Sequence, residues 1–146
     1  MCDLEYFSFD VDKFFGEYED RKVKLKFLKV KLDTIPLASS ASTDGVKVTG
    51  GLPSSSVEAK AERREKVEKE IRKIENYFEF CDEILENVDD ETRFVITEYF
   101  INRRKSRYEV ELLAEELYCS RATFYRKVKD ARIEVKRYVR DNGWGE

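Results

Sequence analysis

The sequence contains no histidine, and its three cysteines, Cys2, Cys81 and Cys119, lie far apart. Without histidine the chain lacks the commonest general base and the commonest metal ligand. The cysteines show no Cys-x-x-Cys spacing, which is typical of reduced thiols in a cytosolic protein. Because no thiol has a base partner in a recognisable motif, we expect no enzymatic activity, no metal site and no cofactor.

Long apolar runs are also missing. No stretch of about 18 apolar residues occurs, so the sequence predicts no membrane span. The first residues, MCDLEYFSFDVD, lack the basic and apolar regions of a signal peptide. We therefore expect a cytoplasmic protein.

Proline and glycine are scarce, and most of them cluster in one place. Both prolines and three of the six glycines fall within residues 36–56, PLASSASTDGVKVTGGLPSSS. Together with the many Ser and Thr residues, they predict a flexible linker without a helical stripe. The whole chain is 40% charged, and outside the linker its apolar residues recur in steps of three and four. This pattern predicts an all-α protein.

The helices on either side of the linker, about 10–34 and 57–87, each carry one narrow apolar stripe. The simplest use of two such stripes is to bury each other, which predicts a long antiparallel helical hairpin as a first domain, 1–88. Arg21 and Arg64 interrupt the stripes. Polar residues in such a seam favour specific pairing, so a homo-oligomer through the N-terminal helices is a second use of the same pattern.

Residues 89–146 predict a three-helix domain that contains a helix-turn-helix. In Leu112–Ala131, LLAEELYCSRATFYRKVKDA, Ala114 is small enough for two helices to cross closely. Ser120 stands where a helix N-cap is required, and Phe124 returns the next helix to the core. Tyr118 occupies the turn position at which such motifs commonly have glycine.

Charge is distributed unevenly between the two ends. Residues 103–140 contain 12 Lys and Arg against 6 Asp and Glu, although the whole chain has a net charge of −3. A basic end on an acidic body is typical of a module that binds a polyanion at one end. Double-stranded DNA is the partner that this charge and the predicted motif together favour.

With Phe124 buried, the first two turns of the last helix would enter the major groove. Arg126 could pair with guanine, Ala122 and Thr123 could contact a thymine methyl group, and Tyr125 and Lys129 suit phosphate. The basic loop before the motif would contact the DNA backbone. The predicted DNA-binding residues are Arg103, Arg104, Lys105, Arg107, Ser120, Arg121, Ala122, Thr123, Tyr125, Arg126 and Lys129.

Residues 93–138, with the phrase YFINRRKSRYEVELLAEELYCSRATFYRKVKDA, resemble the C-terminal helix-turn-helix of the ArpU/RinA-like phage transcriptional regulators, a fold similar to region four of sigma factors. The resemblance implies a DNA-binding regulator of phage late or packaging genes in the cytoplasm of a Gram-positive host. It also implies RNA polymerase as a partner.

Two other functions fit the same sequence. A small-terminase-like packaging subunit also joins a helix-turn-helix to helical oligomerisation segments, and a ring of many copies would distinguish it from a regulator. A helical protein-interaction module would not bind DNA at all, and would keep its function when Arg126 and Lys129 are replaced by alanine.

Overall fold

A computed structural model describes residues 8–35 and 53–144, and the side chains of 8–35 and 58–144. Every regular element in these ranges is helical, which confirms the predicted all-α class. Most of the predicted linker, residues 36–52, lies outside the described residues. None of the described helices combines the length and the apolar character needed to cross a bilayer. The elements are α1 (Val11–Gly16), α2 (Tyr18–Thr34), α3 (Pro53–Glu86), α4 (Asp90–Val95), a π-helical segment (Ile96–Ile101), α5 (Arg107–Glu116) and α6 (Arg121–Asn142).

The chain divides into two compact units. The terminal unit comprises Met1–Asp20 and Phe78–Glu146, and the two-helix unit comprises Arg21–Tyr77. Helices α2 and α3 each run through a boundary between the units. The domain boundary predicted after residue 88 stays a prediction, because a division by contacts does not test which part folds alone.

In the two-helix unit most buried residues lie on the predicted stripes, but Tyr77 is completely buried where the predicted stripe has its neighbour Phe78. Leu28 and Ile35 are buried on the α2 side, and Val67, Ile71 and Ile74 on α3. These positions recur in steps of three and four, so each helix buries one face and exposes its charged faces.

The two arginines that interrupt the stripes both have partners within this unit. The Arg21 guanidinium lies 4.3 Å from the centre of the Tyr77 ring. Arg64 donates to the Ile35 carbonyl at 3.1 Å and to the Leu32 carbonyl at 3.4 Å. The last carbonyls of a helix have no partner within it, so Arg64 satisfies the end of α2. Arg21, early in α2, therefore contacts Tyr77, late in α3, whereas Arg64, early in α3, contacts the end of α2. Contacts in this order are those of an antiparallel helix pair.

The terminal unit has an aromatic core to which both ends of the sequence contribute. Phe15 and Phe100 are completely buried, with ring centres 6.4 Å apart. Phe80 stacks on Trp144 with ring centres 4.8 Å apart, and Phe14 meets the edge of Trp144 at 5.6 Å. The N-terminal helix α1 is therefore part of the core on which α6 packs.

The sequence predicts one helix over residues 10–34, whereas the structure has two, separated at Glu17. Asp10 caps α1 by accepting from the backbone N–H of Lys13 at 3.1 Å. The adjacent residues Phe14 and Phe15 are both buried, whereas the only buried residue of α2 is Leu28. Helix α1 is thus enclosed over a wider face than α2, and the break separates these two environments.

The π-helical segment continues directly from α4. The Asn102 N–H donates to the Thr97 carbonyl at 2.9 Å, five residues earlier, where an α-helix would use the fourth. The wider turn buries Ile96, Tyr99, Phe100 and Ile101, four of the six residues in the segment. Simple helical periodicity does not predict this arrangement.

The Asp12 carboxylate connects α1 to α6 and to the loop after the π-helical segment. It accepts from Arg132 at 2.7 and 2.9 Å and from Lys105 at 3.2 Å. The Arg132 guanidinium also lies 5.3 Å from the centre of the Phe100 ring. The hydrogen bonds from Arg132 hold the pKa of Asp12 below its ordinary value, although burial opposes them.

We expect Asp12→Asn to destabilise the protein at neutral pH by about 1–2 kcal/mol, because it removes a charge-assisted hydrogen bond at a partly exposed site. The folded pKa of Asp12 is lowered, so its contribution is present above the unfolded pKa of 3.8 and is lost as pH falls through the folded pKa. Thermal melts at neutral pH and at about pH 2 should therefore show a gap between the variants that closes in acid. Glu79→Gln, an exposed carboxylate on α3, is the control. An equal gap at both pH values would contradict the prediction.

We expect Arg64→Met to loosen the end of α2, because it keeps the apolar stem and removes both hydrogen bonds to the Leu32 and Ile35 carbonyls. A loss of about 1–2 kcal/mol corresponds to roughly tenfold faster amide exchange in the last turn of α2. Arg63→Met, at the exposed neighbouring position, should leave that exchange unchanged. Equal protection in both variants would show that Arg64 does not cap the helix.

Candidate nucleic-acid interface

Helices α5 and α6 are joined by four residues, Leu117 to Ser120, and local hydrogen bonds fix both helix ends. Ser106 caps α5 by accepting from the Glu109 N–H at 3.2 Å, and its hydroxyl donates to the Glu109 carboxylate at 2.8 Å. Ser120 caps α6 by accepting from the Thr123 N–H at 3.1 Å, and the hydroxyls of Ser120 and Thr123 lie 3.0 Å apart. Ser120 therefore starts α6 as the sequence predicts, and both hydroxyls are engaged there.

The end of α5 is closed by a Schellman motif. The Cys119 N–H donates to the Ala114 carbonyl at 3.0 Å, and the Tyr118 N–H donates to the Glu115 carbonyl at 3.0 Å. This pattern requires a left-handed residue between them, and Tyr118 has a φ of 55°. Glycine is the usual residue at this position because a side chain is strained there. The Tyr118 side chain is 97% exposed, so it has almost no packing contacts to offset that strain.

One face of α6 is buried as the sequence predicts. Phe124, Val128, Ala131 and Val135 are buried, as is Val139, while Tyr138 is only partly buried. On the same side, Lys127 donates to the Glu91 carboxylate at 2.5 Å, which attaches α6 to the start of α4. This hydrogen bond raises the pKa of Lys127. Lys127 is thus a structural cation.

The cations of the loop before α5 are bound to groups within the terminal unit. Arg103, with a left-handed φ of 54°, donates to the Gly16 carbonyl at 3.1 Å. Arg104 pairs with Glu98 at 3.0 Å and with Glu109 at 3.9 Å. Lys105 pairs with Asp12 at 3.2 Å and lies 5.1 Å from the centre of the Tyr99 ring. The structure thus gives three of the predicted phosphate-binding residues an intramolecular partner.

Two further predicted cations share one carboxylate, that of Glu111. Arg107 pairs with it at 3.6 Å and Arg121 at 3.1 Å. The Arg107 side chain is 79% exposed, and its pair is a surface pair between residues four apart on α5. Surface pairs of this kind contribute about 0.3–0.5 kcal/mol, so they hold an arginine only weakly.

The remaining predicted residues lie on the outer face of α6. Ala122, Tyr125, Arg126 and Lys129 are all exposed. Tyr125 meets the Phe124 ring edge-on, with ring centres 6.4 Å apart. Neither Arg126 nor Lys129 has an ion-pair partner among the described residues. These two cations, about one helical turn apart, point into solvent, and no carboxylate in the described part of the chain neutralises them.

The same outer face of α6 continues beyond Lys129, the last of the predicted DNA-binding residues. Ile133 is 37% exposed, and Lys136 and Arg137 follow it at helical spacing without an ion pair to any described residue. Arg132 and Arg140, which lie between and beyond them, pair with Asp12 and Asp141 respectively. Charge spacing along the helix predicts that Arg132, Lys136, Arg137 and Arg140 all extend the basic surface, but it does not show that Arg132 and Arg140 are neutralised.

Comparison with known proteins adds no relative: no family model, no curated protein and no solved structure matches the chain.

We expect Tyr118→Gly to raise the free energy of unfolding by about 0.5–1 kcal/mol, because glycine takes the left-handed conformation without strain. Tyr108→Gly is a matched control, since Tyr108 is also exposed, at 70%, but lies within α5. Glycine is about 0.5 kcal/mol less favourable than tyrosine in a helix, so this variant should melt at a lower temperature. Chemical denaturation should therefore give a higher free energy of unfolding for Tyr118→Gly, and a lower one for Tyr108→Gly, than for the unmodified protein. Destabilisation by Tyr118→Gly would mean that the exposed ring contributes to folding.

Proposed function

We propose that the chain is a sequence-specific, double-stranded-DNA-binding transcriptional regulator. In this proposal α4 with the π-helical segment, α5 and α6 form a three-helix helix-turn-helix domain, and α6 is the recognition helix. The observation that carries it is the pair of exposed cations Arg126 and Lys129, which have no ion-pair partner among the described residues and lie near the start of a helix capped by Ser120. The Schellman turn before that cap supports the helix-turn-helix, because it joins α5 to α6 through a short turn of defined geometry.

Each residue on the outer face of α6 has a role that follows from its chemistry. Arg126 presents a planar guanidinium, which suits the two acceptors of guanine in the major groove. Ala122 and Thr123 lie on the first turn and offer methyl groups to thymine. Lys129 and Tyr125 suit phosphate oxygens, as does the N-terminus of α6, where the helix dipole favours negative charge.

The strength of each ion pair decides which of the other cations can also bind phosphate. Arg107 and Arg121 share one exposed carboxylate, and a surface pair worth a few tenths of a kcal/mol yields readily to a phosphate. Arg104 is 29% exposed and lies between two carboxylates, so it stays with them and positions the loop. Lys105 shares Asp12 with Arg132 and has the same positioning role. We therefore rank Arg107 and Arg121 above Arg104 and Lys105 as backbone contacts.

The biological setting is the part of the proposal that depends on the resemblance of residues 93–138 alone. It comprises regulation of phage late or packaging genes in the cytoplasm of a bacterial host, with RNA polymerase as a protein partner. The helical hairpin formed by α2 and α3 would then set the oligomeric state or recruit that partner. The antiparallel order of their contacts supports the hairpin.

We expect Arg126→Ala and Lys129→Ala to weaken DNA binding in different ways. A binding site is first selected from a genomic fragment library, and its affinity is compared with that of a scrambled site over a range of salt concentrations. Loss of Arg126 should cost about 1–3 kcal/mol on the selected site and little on the scrambled one. Loss of Lys129 should weaken both sites similarly and reduce the slope of log affinity against log salt by about one.

Arg72→Ala combined with Lys73→Ala is the matched control, because it removes two exposed cations of α3 that have no ion pair with any described residue. It should leave the affinity for both sites nearly unchanged. If it weakens binding as much as the α6 variants do, the effect is one of net charge and α6 is not the recognition helix. Selection of no site above background would overturn the proposed function.

A further inference from the structure

Helix α2 carries a stripe of exposed apolar side chains on the side away from its buried residue. Val23, Phe27 and Val30 are 66%, 70% and 63% exposed, whereas Leu28 is 5% exposed. Their spacing of four and then three residues places all three on one face of the helix. We call this surface the α2 stripe. Single exposed apolar residues are ordinary, but an aligned set of large ones marks an interaction surface.

Lysines flank the α2 stripe. Lys24 and Lys31 lie along one side of it and Lys26 along the other, and all three side chains are exposed. None of the three pairs with a carboxylate among the described residues. Residues 21–32 contain no Asp or Glu, so this part of α2 is locally strongly basic even though the chain is acidic overall. Lys29, on another face, pairs with Glu75 at 3.9 Å.

Charge decides against a second copy of α2 as the occupant. Two identical stripes packed together, in either direction, bring the flanking lysines of one helix beside those of the other. Like charges at these flanking positions destabilise a helix pair. An anionic lipid surface would also pair with the lysines. Such a surface favours a helix with a broad apolar face, however, and the exposed apolar surface of α2 is only a narrow stripe. A narrow stripe with charged flanks is instead the geometry of one helix recognising another.

We propose that the α2 stripe binds an acidic amphipathic helix of a partner protein. The partner's apolar residues, at the same four-and-three spacing, pack between Val23, Phe27 and Val30. Its Asp and Glu residues flank that seam and pair with Lys24, Lys26 and Lys31. The inference concerns α2 and uses none of the residues assigned to DNA.

The test uses a defined probe, a fluorescent synthetic peptide of three heptads with leucine at the two seam positions and glutamate at the two flanking positions. Mutual repulsion of its glutamates keeps this peptide monomeric. Its binding to the full chain is measured by fluorescence anisotropy, together with a second peptide that has lysine at the flanking positions. We expect micromolar binding of the acidic peptide and at least about tenfold weaker binding of the basic one.

Two variants of the chain localise the binding. Phe27→Ser removes the apolar centre of the stripe, and Lys26→Glu with Lys31→Glu reverses its flanks; each should weaken binding of the acidic peptide at least about tenfold. Lys66→Glu with Lys73→Glu makes the same charge change on exposed positions of α3 and should alter binding less than about threefold. Thermal melts check that each variant folds, and the charge reversal stands as an independent test if Phe27→Ser does not.

Three results would overturn the inference. If both α2 variants bind the acidic peptide as tightly as the unmodified chain does, the peptide binds at another surface. A homodimer in sedimentation equilibrium that Phe27→Ser abolishes would make a second copy the occupant. Binding to vesicles of phosphatidylglycerol and phosphatidylcholine that Phe27→Ser abolishes would make it a lipid surface. None of these measurements contains DNA, so failure here is separate from failure of the proposed function.

Discussion

The terminal unit depends on one carboxylate, that of Asp12. Arg132 and Lys105 both donate to it, and these two cations come from α6 and from the loop before α5. Both cations also lie against the Phe100 ring, so the charged cluster covers the aromatic core directly. Removing one partner from such a cluster leaves the others with unbalanced charge. Substitution of any single member is therefore expected to destabilise the fold. These hydrogen bonds attach α6 to a residue 120 positions earlier in the chain.

Much of the helical architecture could be predicted from the sequence, because it depends on local rules. Steps of three and four identified the buried line of α6 from Phe124 to Val135, and a serine before a basic helix identified its N-cap. The break at Glu17 and the π-helical segment were not predictable in this way. Both arise where adjacent aromatic or aliphatic residues are buried together, and periodicity describes a helix that buries only one face. What covers a face is a property of the tertiary structure.

Sequence-based prediction of the candidate interface is limited in the same way, because ion pairs depend on tertiary structure. Composition locates the basic end of the chain, but it does not show which cations are neutralised. The pair between Arg107 and Glu111 is visible in the sequence because the two residues are four apart. The partners of Arg103 and Arg132 are not, since they are separated from them by 87 and 120 residues. The sequence therefore places Arg126 and Lys129 on the outer face of α6, but only the structure shows that Arg103 and Arg132 are bound elsewhere.

The π-helical segment has a consequence for how this chain can vary in length. A segment with five-residue hydrogen bonds holds one residue more than the α-helical turn that it replaces. Deleting one residue there would restore α-helical bonding, and the chain that follows would keep nearly the same direction, because the wider turn spreads the extra residue over its whole length. The cost would fall on packing instead, because the wider turn encloses Ile96, Tyr99, Phe100 and Ile101, and an α-helix that buries one face does not enclose four of six consecutive residues. A deletion within residues 96–101 would therefore keep the helix but lose part of the buried core, so the length of the chain and its packing are coupled at this point.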